Sequence, residues 1–122
     1  MIWELVENTL SALGLPTLSA AANQMILASG ETLPDQFLVY QLISAPPLQH
    51  ADDRETMRIW RVQVSIFDRN GLSNLPDVTG VMVEAGFTRG PMRELEYDKN
   101  TRHFGLGMDF QITSDEEESD SY

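Results

Sequence analysis

Two histidines and a cluster of acids are the first places to look for chemistry in this chain. His50 is followed by Asp52, Asp53, Arg54 and Glu55 in the run HADDRE, and His103 follows Arg102. A histidine beside carboxylates is the raw material of acid–base or metal chemistry. A metal site needs three or four convergent ligands, and a hard-cation loop needs oxygens at alternate positions around a Gly turn. HADDRE has neither pattern, so it reads as a solvated charged loop. Glu94 and Glu96 stand two apart in MRELEY and read as an exposed polar stripe, because no desolvating pocket is implied. No G-x-S-x-G elbow, dinucleotide-binding glycine pattern or phosphate-loop pattern occurs, and there is no cysteine to serve as nucleophile or ligand. The expectation is a protein without catalytic residues, metal or cofactor.

The elements that would position these residues follow from periodicity. Ile2, Val6, Leu10 and Leu13 recur at helical spacing in residues 2–13, and Gly14 with Pro16 stops that helix. The Ala-rich run 18–28 allows a further helix or an irregular crossing. Residues 36–44, QFLVYQLIS, are apolar on both alternating sets and predict a strand covered on both sides. Ala45-Pro46-Pro47 ends it, and 48–55 has no period. From Arg58 the pattern changes: Trp60, Val62, Val64 and Ile66 alternate with Arg61, Gln63 and Ser65, a half-buried strand with its apolar side inward. After Asp68-Arg69-Asn70-Gly71, residues 72–85 read as a helix with Leu75, Val78, Met82 and Ala85 on one face. Ser73 or Asn74 caps it, and Gly86 ends it. Gly80 in its interior suggests close approach of helix to sheet.

Residues 92–113 predict a hairpin turning at Asp98–Thr101. In its second strand Phe104, Leu106, Met108, Phe110 and Ile112 point inward. His103, Gly105 and Gly107 point outward, leaving a strip bare enough to admit another backbone.

The fold expected is therefore α+β: a four-stranded, mainly antiparallel sheet with two or three helices on one face, in the order α-(α)-β-β-α-β-β. Residues 1–113 form one domain, and 114–122 an acidic, disordered tail by composition. The expected core contains Val6, Leu10, Trp60, Val62, Val64, Ile66, Leu75, Met82, Phe104 and Phe110. The formal charge is −11, and five acids fall in the last nine residues. That balance opposes sequence-independent nucleic-acid binding, which needs a basic footprint. No stretch is long and apolar enough to cross a membrane, and the start MIWELVEN has no basic region of a secretory signal.

What is left is interaction chemistry. Arg58, Arg61, Arg93 and Arg102 interleave with Trp60, Tyr97 and Phe104, a mixture enriched in protein interfaces. The candidate interface residues are His50, Asp52, Asp53, Arg54, Arg58, Arg61, Arg102 and His103. The charged loop 46–58 is expected to order on assembly, and Arg58, Arg61 and Arg102 to meet acids of neighbouring subunits.

Several stretches together resemble one family. They are the helix ending LSALGLP, the strand LPDQFLVYQLISAPP, the loop HADDRE before VQVSIFDRNG, and AGF followed by ELEYDKNTRHFGLGMDFQI. Over residues 1–113 the chain resembles the small tail terminator, or tail-completion, proteins of long-tailed bacteriophages. It departs from them at Asn100, where the family often has an acid, and in its acidic tail. The resemblance implies a virion protein made in the host cytoplasm, an α+β subunit of a six-membered ring. The ring caps the head-proximal end of the tail tube, stops its growth and meets the head connector. Its partners would be other copies of itself, the tail tube protein and the head-closure or connector protein. Genomic DNA would pass through the lumen without specific binding, because an acidic lining offers no phosphate contacts. A neighbouring neck protein, whether head-closure or connector component, and a non-viral protein-binding module remain alternatives.

Overall fold

The computed structural model describes residues 2–30, 32–45 and 57–115. Its centre is the strand anticipated around Trp60. This strand, Met57–Asp68, buries Trp60, Val62, Val64 and Ile66 on one face. In chain order the elements are α1 (Ile2–Ser11), β1 (Thr17–Ser19), α2 (Ala20–Ser29), β2 (Gln36–Ser44), β3 (Met57–Asp68), α3 (Val78–Glu84), β4 (Thr88–Asp98) and β5 (His103–Asp115). The fold is α+β, with a mixed five-stranded sheet in the order β1-β2-β3-β5-β4. β1 is parallel to β2, and every other neighbouring pair is antiparallel.

The fifth strand corrects the expected four. Thr17, Leu18 and Ser19 pair with Leu38, Val39 and Tyr40, although the Ala-rich pattern from Leu18 suggests a helix or an irregular crossing there. Gly14, at φ 69°, redirects the chain, and the Pro16 carbonyl accepts the Leu38 N–H at 2.9 Å. A three-residue strand is too short to show a period, so only the presence of β2 beside it defines it. Ser19 then caps α2, its hydroxyl accepting the Ala22 N–H at 3.1 Å.

The sheet has two covered faces, which corrects the expectation of helices on one face only. α1 and α3 cover the first, where Val6, Leu10 and Met82 pack with Leu38, Tyr40, Val62 and Phe110. On the second face Leu33, Phe37 and Val39 pack with Leu18 of β1, Ile26 of α2 and Phe67 of β3. β2 is therefore buried on both sides from Phe37 to Tyr40, but its end is not, since Gln41, Leu42 and Ile43 are exposed.

α3 is shorter than the pattern 72–85. Asp77, rather than Ser73 or Asn74, caps it, accepting the Gly80 N–H at 2.9 Å. Leu75 precedes the helix and is only half-buried against the core. Gly80 has a local reason and not the one expected. A Cβ there would lie 2.1 Å from the Asp77 carboxylate, so the glycine makes room for the cap. Gly86, at φ 109°, closes the helix as anticipated, with Phe87 N–H on Met82 O and Gly86 N–H on Val83 O.

The turns tie the sheet together at one end. Asp68, which is buried, accepts from Gln36 Nε2 at 2.7 Å and from the Asn70 N–H at 2.7 Å. Arg69 pairs with Asp35 at 2.7 Å and donates to the Thr101 carbonyl at 2.9 Å. At the β4–β5 tip, Asp98 accepts the Asn100 and Thr101 N–H groups, and Arg102 takes a left-handed φ of 64°. β5 continues to Asp115, so Ser114 and Asp115 belong to the ladder with β3.

Tyr40 carries a pH dependence. Its hydroxyl donates to the Glu7 carboxylate, and its ring lies 5.2 Å from that of Trp3. Burial, then the hydrogen bond to Glu7 and its negative charge, push the phenol up to about 12. The folded value exceeds the unfolded value near 10, so the folded state holds the proton more tightly. This contribution is complete below pH ~10 and is lost as pH rises toward 12. Its full size is about 2–3 kcal/mol, from ~1.4 kcal/mol per unit. Urea titrations at pH 9 and 11 should show a steeper alkaline loss in the wild type than in Tyr40→Phe. Equal losses would remove Tyr40 as the cause.

Candidate interaction surface

Of the residues that first suggested chemistry, the HADDRE run (His50, Asp52, Asp53 and Arg54 among them), with most of the charged loop 46–58, falls outside the described residues. Among the described residues, no group of three or more His, Asp or Glu side chains gathers as a metal site would require. Glu94 and Glu96 stand exposed on β4.

His103 is a correction. It was expected outward at the edge of the last strand, yet it is 1% exposed. Its Nε2 lies 2.8 Å from the Pro34 carbonyl, and its ring meets Phe37 edge-on at 5.0 Å. The alternation of β5 holds, because His103 does face away from α1 and α3. At this end, however, the second face is closed by Leu33, Phe37 and Phe67, so outward is not into water. His103 is a core residue and cannot serve as an interface histidine.

The glycine strip is filled by the chain itself. A Cβ on Gly105 would lie 2.8 Å from the Phe67 ring and 3.1 Å from Leu95. One on Gly107 would lie 3.0 Å from Gln63 Nε2 and 3.3 Å from Leu95. The two glycines admit these side chains, not the backbone of a neighbour.

The candidate arginines are dispersed. Arg58, at the start of β3, is half-buried and donates to the Ala45 carbonyl. Arg61 is exposed further along the same strand, paired with Gln111 of β5. Arg102 is exposed at the hairpin tip, beyond the Asp68–Phe104 pair. At about 3.3 Å per residue, the register puts Arg61 and Arg102 more than ~20 Å apart. They cannot form one patch on one subunit. Phe104, expected in the core, is 40% exposed and packs at a tilt against Tyr97, ring centroids 4.7 Å apart.

Two features missed in the sequence define the open surface. The first is β4, an edge strand of eleven residues, almost all exposed. An edge strand offers hydrogen-bonding groups to another chain, and here Pro91 and two breaks in the ladder interrupt the row. The second is Arg89, which precedes the hairpin expected from residue 92 but belongs to β4. It lies on β4 beside Arg61 and Asp109, lining one polar cleft. Asp109 Oδ1 is buried there without a hydrogen-bond partner among the described residues. Nothing in the local pattern announces this grouping, because the three residues come from three strands.

No helix among the described residues is long and apolar enough to cross a membrane. No protein-family model matches the chain, and no curated protein matches it in sequence.

Proposed function

We propose that this chain is a structural protein of a phage tail, a tail terminator that assembles as the six-membered ring of the family it resembles, caps the tube at its head-proximal end and joins it to the head connector. It works by surface contact and needs no cofactor. The observation that carries the reading is the α+β subunit with a long open edge at β4, alongside the ordered set of resembling stretches. An edge of this kind suits a subunit whose neighbours complete it. The arginines dispersed over two ends of the sheet suit contacts with more than one neighbour.

The test adds purified protein to preformed tail tubes in the presence of free tube protein. Elongation should stop, and negative-stain images should show a ring at one end. Arg61→Glu should weaken capping at low salt, where exposed charges act at longest range. Continued elongation at saturating protein would refute the proposal. Binding to the connector with no effect on tubes would assign the chain to the neighbouring neck proteins instead.

A further inference from the structure

α2 differs from the other two helices in what it shows to water. α1 and α3 turn apolar side chains to the sheet and leave Glu4, Glu7 and Glu84 exposed. In α2 the apolar residues are not confined to the covered side. Ile26 packs against the Leu33–Phe37–Val39 cluster. Its neighbour Met25 is 72% exposed, the highest value for a large apolar side chain among the described residues. A helix that is apolar on more than one side calls for a second cover.

Ala22, Met25, Ile26 and Ser29 line an open hollow of about 340 Å³ on this helix. Their spacing, i, i+3, i+4 and i+7, is that of the four-residue hole that receives a side chain of a facing helix in knobs-into-holes packing. Ala22 and Ser29, small and seven residues apart, leave its two ends low, so another helix can come close. The Ser29 hydroxyl already donates to the Ile26 carbonyl at 2.8 Å, so covering it strands no donor. A knob for this hole stands on the same helix: Met25 is unbranched, flexible and exposed, suited to filling such a gap.

Charge narrows the choice of occupant. Two copies of a chain with formal charge −11 repel wherever their acids face each other. From Asn8 to Gly30 the sequence has no charged residue, although 22% of the whole is charged. Of the three described helices, α2 alone can meet its own copy without setting acid against acid. It has no cation for a phosphate or carboxylate and no acid for a basic segment. Its shape answers itself, since knob and hole lie on one patch, as a two-fold contact between identical chains requires.

We propose that α2 pairs antiparallel with α2 of a second copy about a two-fold axis beside Met25, each Met25 entering the Ala22–Met25–Ile26–Ser29 hole of the other. The antiparallel sense sets Ala22 against the second copy's Ser29 and brings opposite ends of the helix dipoles together. A contact between two ten-residue helices is small, so the dimer is weak, with a Kd on the order of 10 μM. The proposal goes beyond the tail reading and is tested on the free, full chain.

Sedimentation equilibrium at about 100 μM should show mainly dimer. Met25→Glu, at an exposed position, should weaken association at least ~10-fold and leave far-UV circular dichroism unchanged. Met25→Cys gives the chain its single thiol. A short bis-maleimide should join two such chains. It should fail to join Asn74→Cys chains, whose exposed thiol precedes α3 on the other side of the sheet. A monomer at that concentration, or equal cross-linking at positions 25 and 74, would overturn the proposal. So would a larger assembly that survives Met25→Glu, which would leave the ring of the tail reading in place.

Discussion

Phe110→Ala should lower the stability of this protein by about 3–5 kcal/mol, while Phe104→Ala should cost less than about 1. The two residues stand six apart on one strand and share one face by alternation. Phe110 is 2% exposed and meets Phe87 edge-on at 6.5 Å, under α1 and α3. Removing its ring leaves a cavity inside packed structure, and the loss of transfer free energy adds to the cost of the void. Phe104 lies nearer the turn, 40% exposed against Tyr97, where water fills what the ring vacates. Urea unfolding of the two variants at a common m-value measures the difference directly. Equal losses would mean that Phe104 is buried in solution, as its place in the alternation first suggested.

Gly105→Ala should destabilise by about 1–3 kcal/mol, and Gly107→Ala by much less. A Cβ at position 105 would press on Cε1 of Phe67 at 2.8 Å and Cδ1 at 3.0 Å. Phe67 has little room to retreat, because its ring stacks on Phe37 at 5.1 Å and faces His103 at 6.4 Å. At position 107 the tight neighbours are the ends of Gln63 and Leu95, which can rotate away. Thermal unfolding of both variants, with Leu95→Ala as a background that relieves part of the crowding at 105, separates these cases. Identical small effects at both glycines would return the strip to its first reading, a bare surface for another backbone.

Local pattern was enough for the strands that carry a period. Trp60, Val62, Val64 and Ile66 are buried as their alternation demands, and the hairpin of β4 and β5 turns at Asp98 as its composition suggests. Val6, Leu10 and Met82 are core because an amphipathic helix must bury its stripe. These are short-range consequences of side-chain polarity repeating at 2 or 3.6 residues.

Only the tertiary structure decided which outward faces meet water. His103 and Gly105 both lie on the side of β5 away from α1 and α3, and alternation says no more than that. Leu33, Phe37 and Phe67 close this side around His103, so a residue of interface type became core. Further along the same face no such cover reaches Arg61, and it stays exposed. The Arg61–Arg89–Asp109 cleft arose in the same way, from three strands whose register is set by the whole sheet. Polarity along a chain determines which side chains share a face. What lies over that face depends on residues far off in sequence, and their approach is fixed by packing that no local period records.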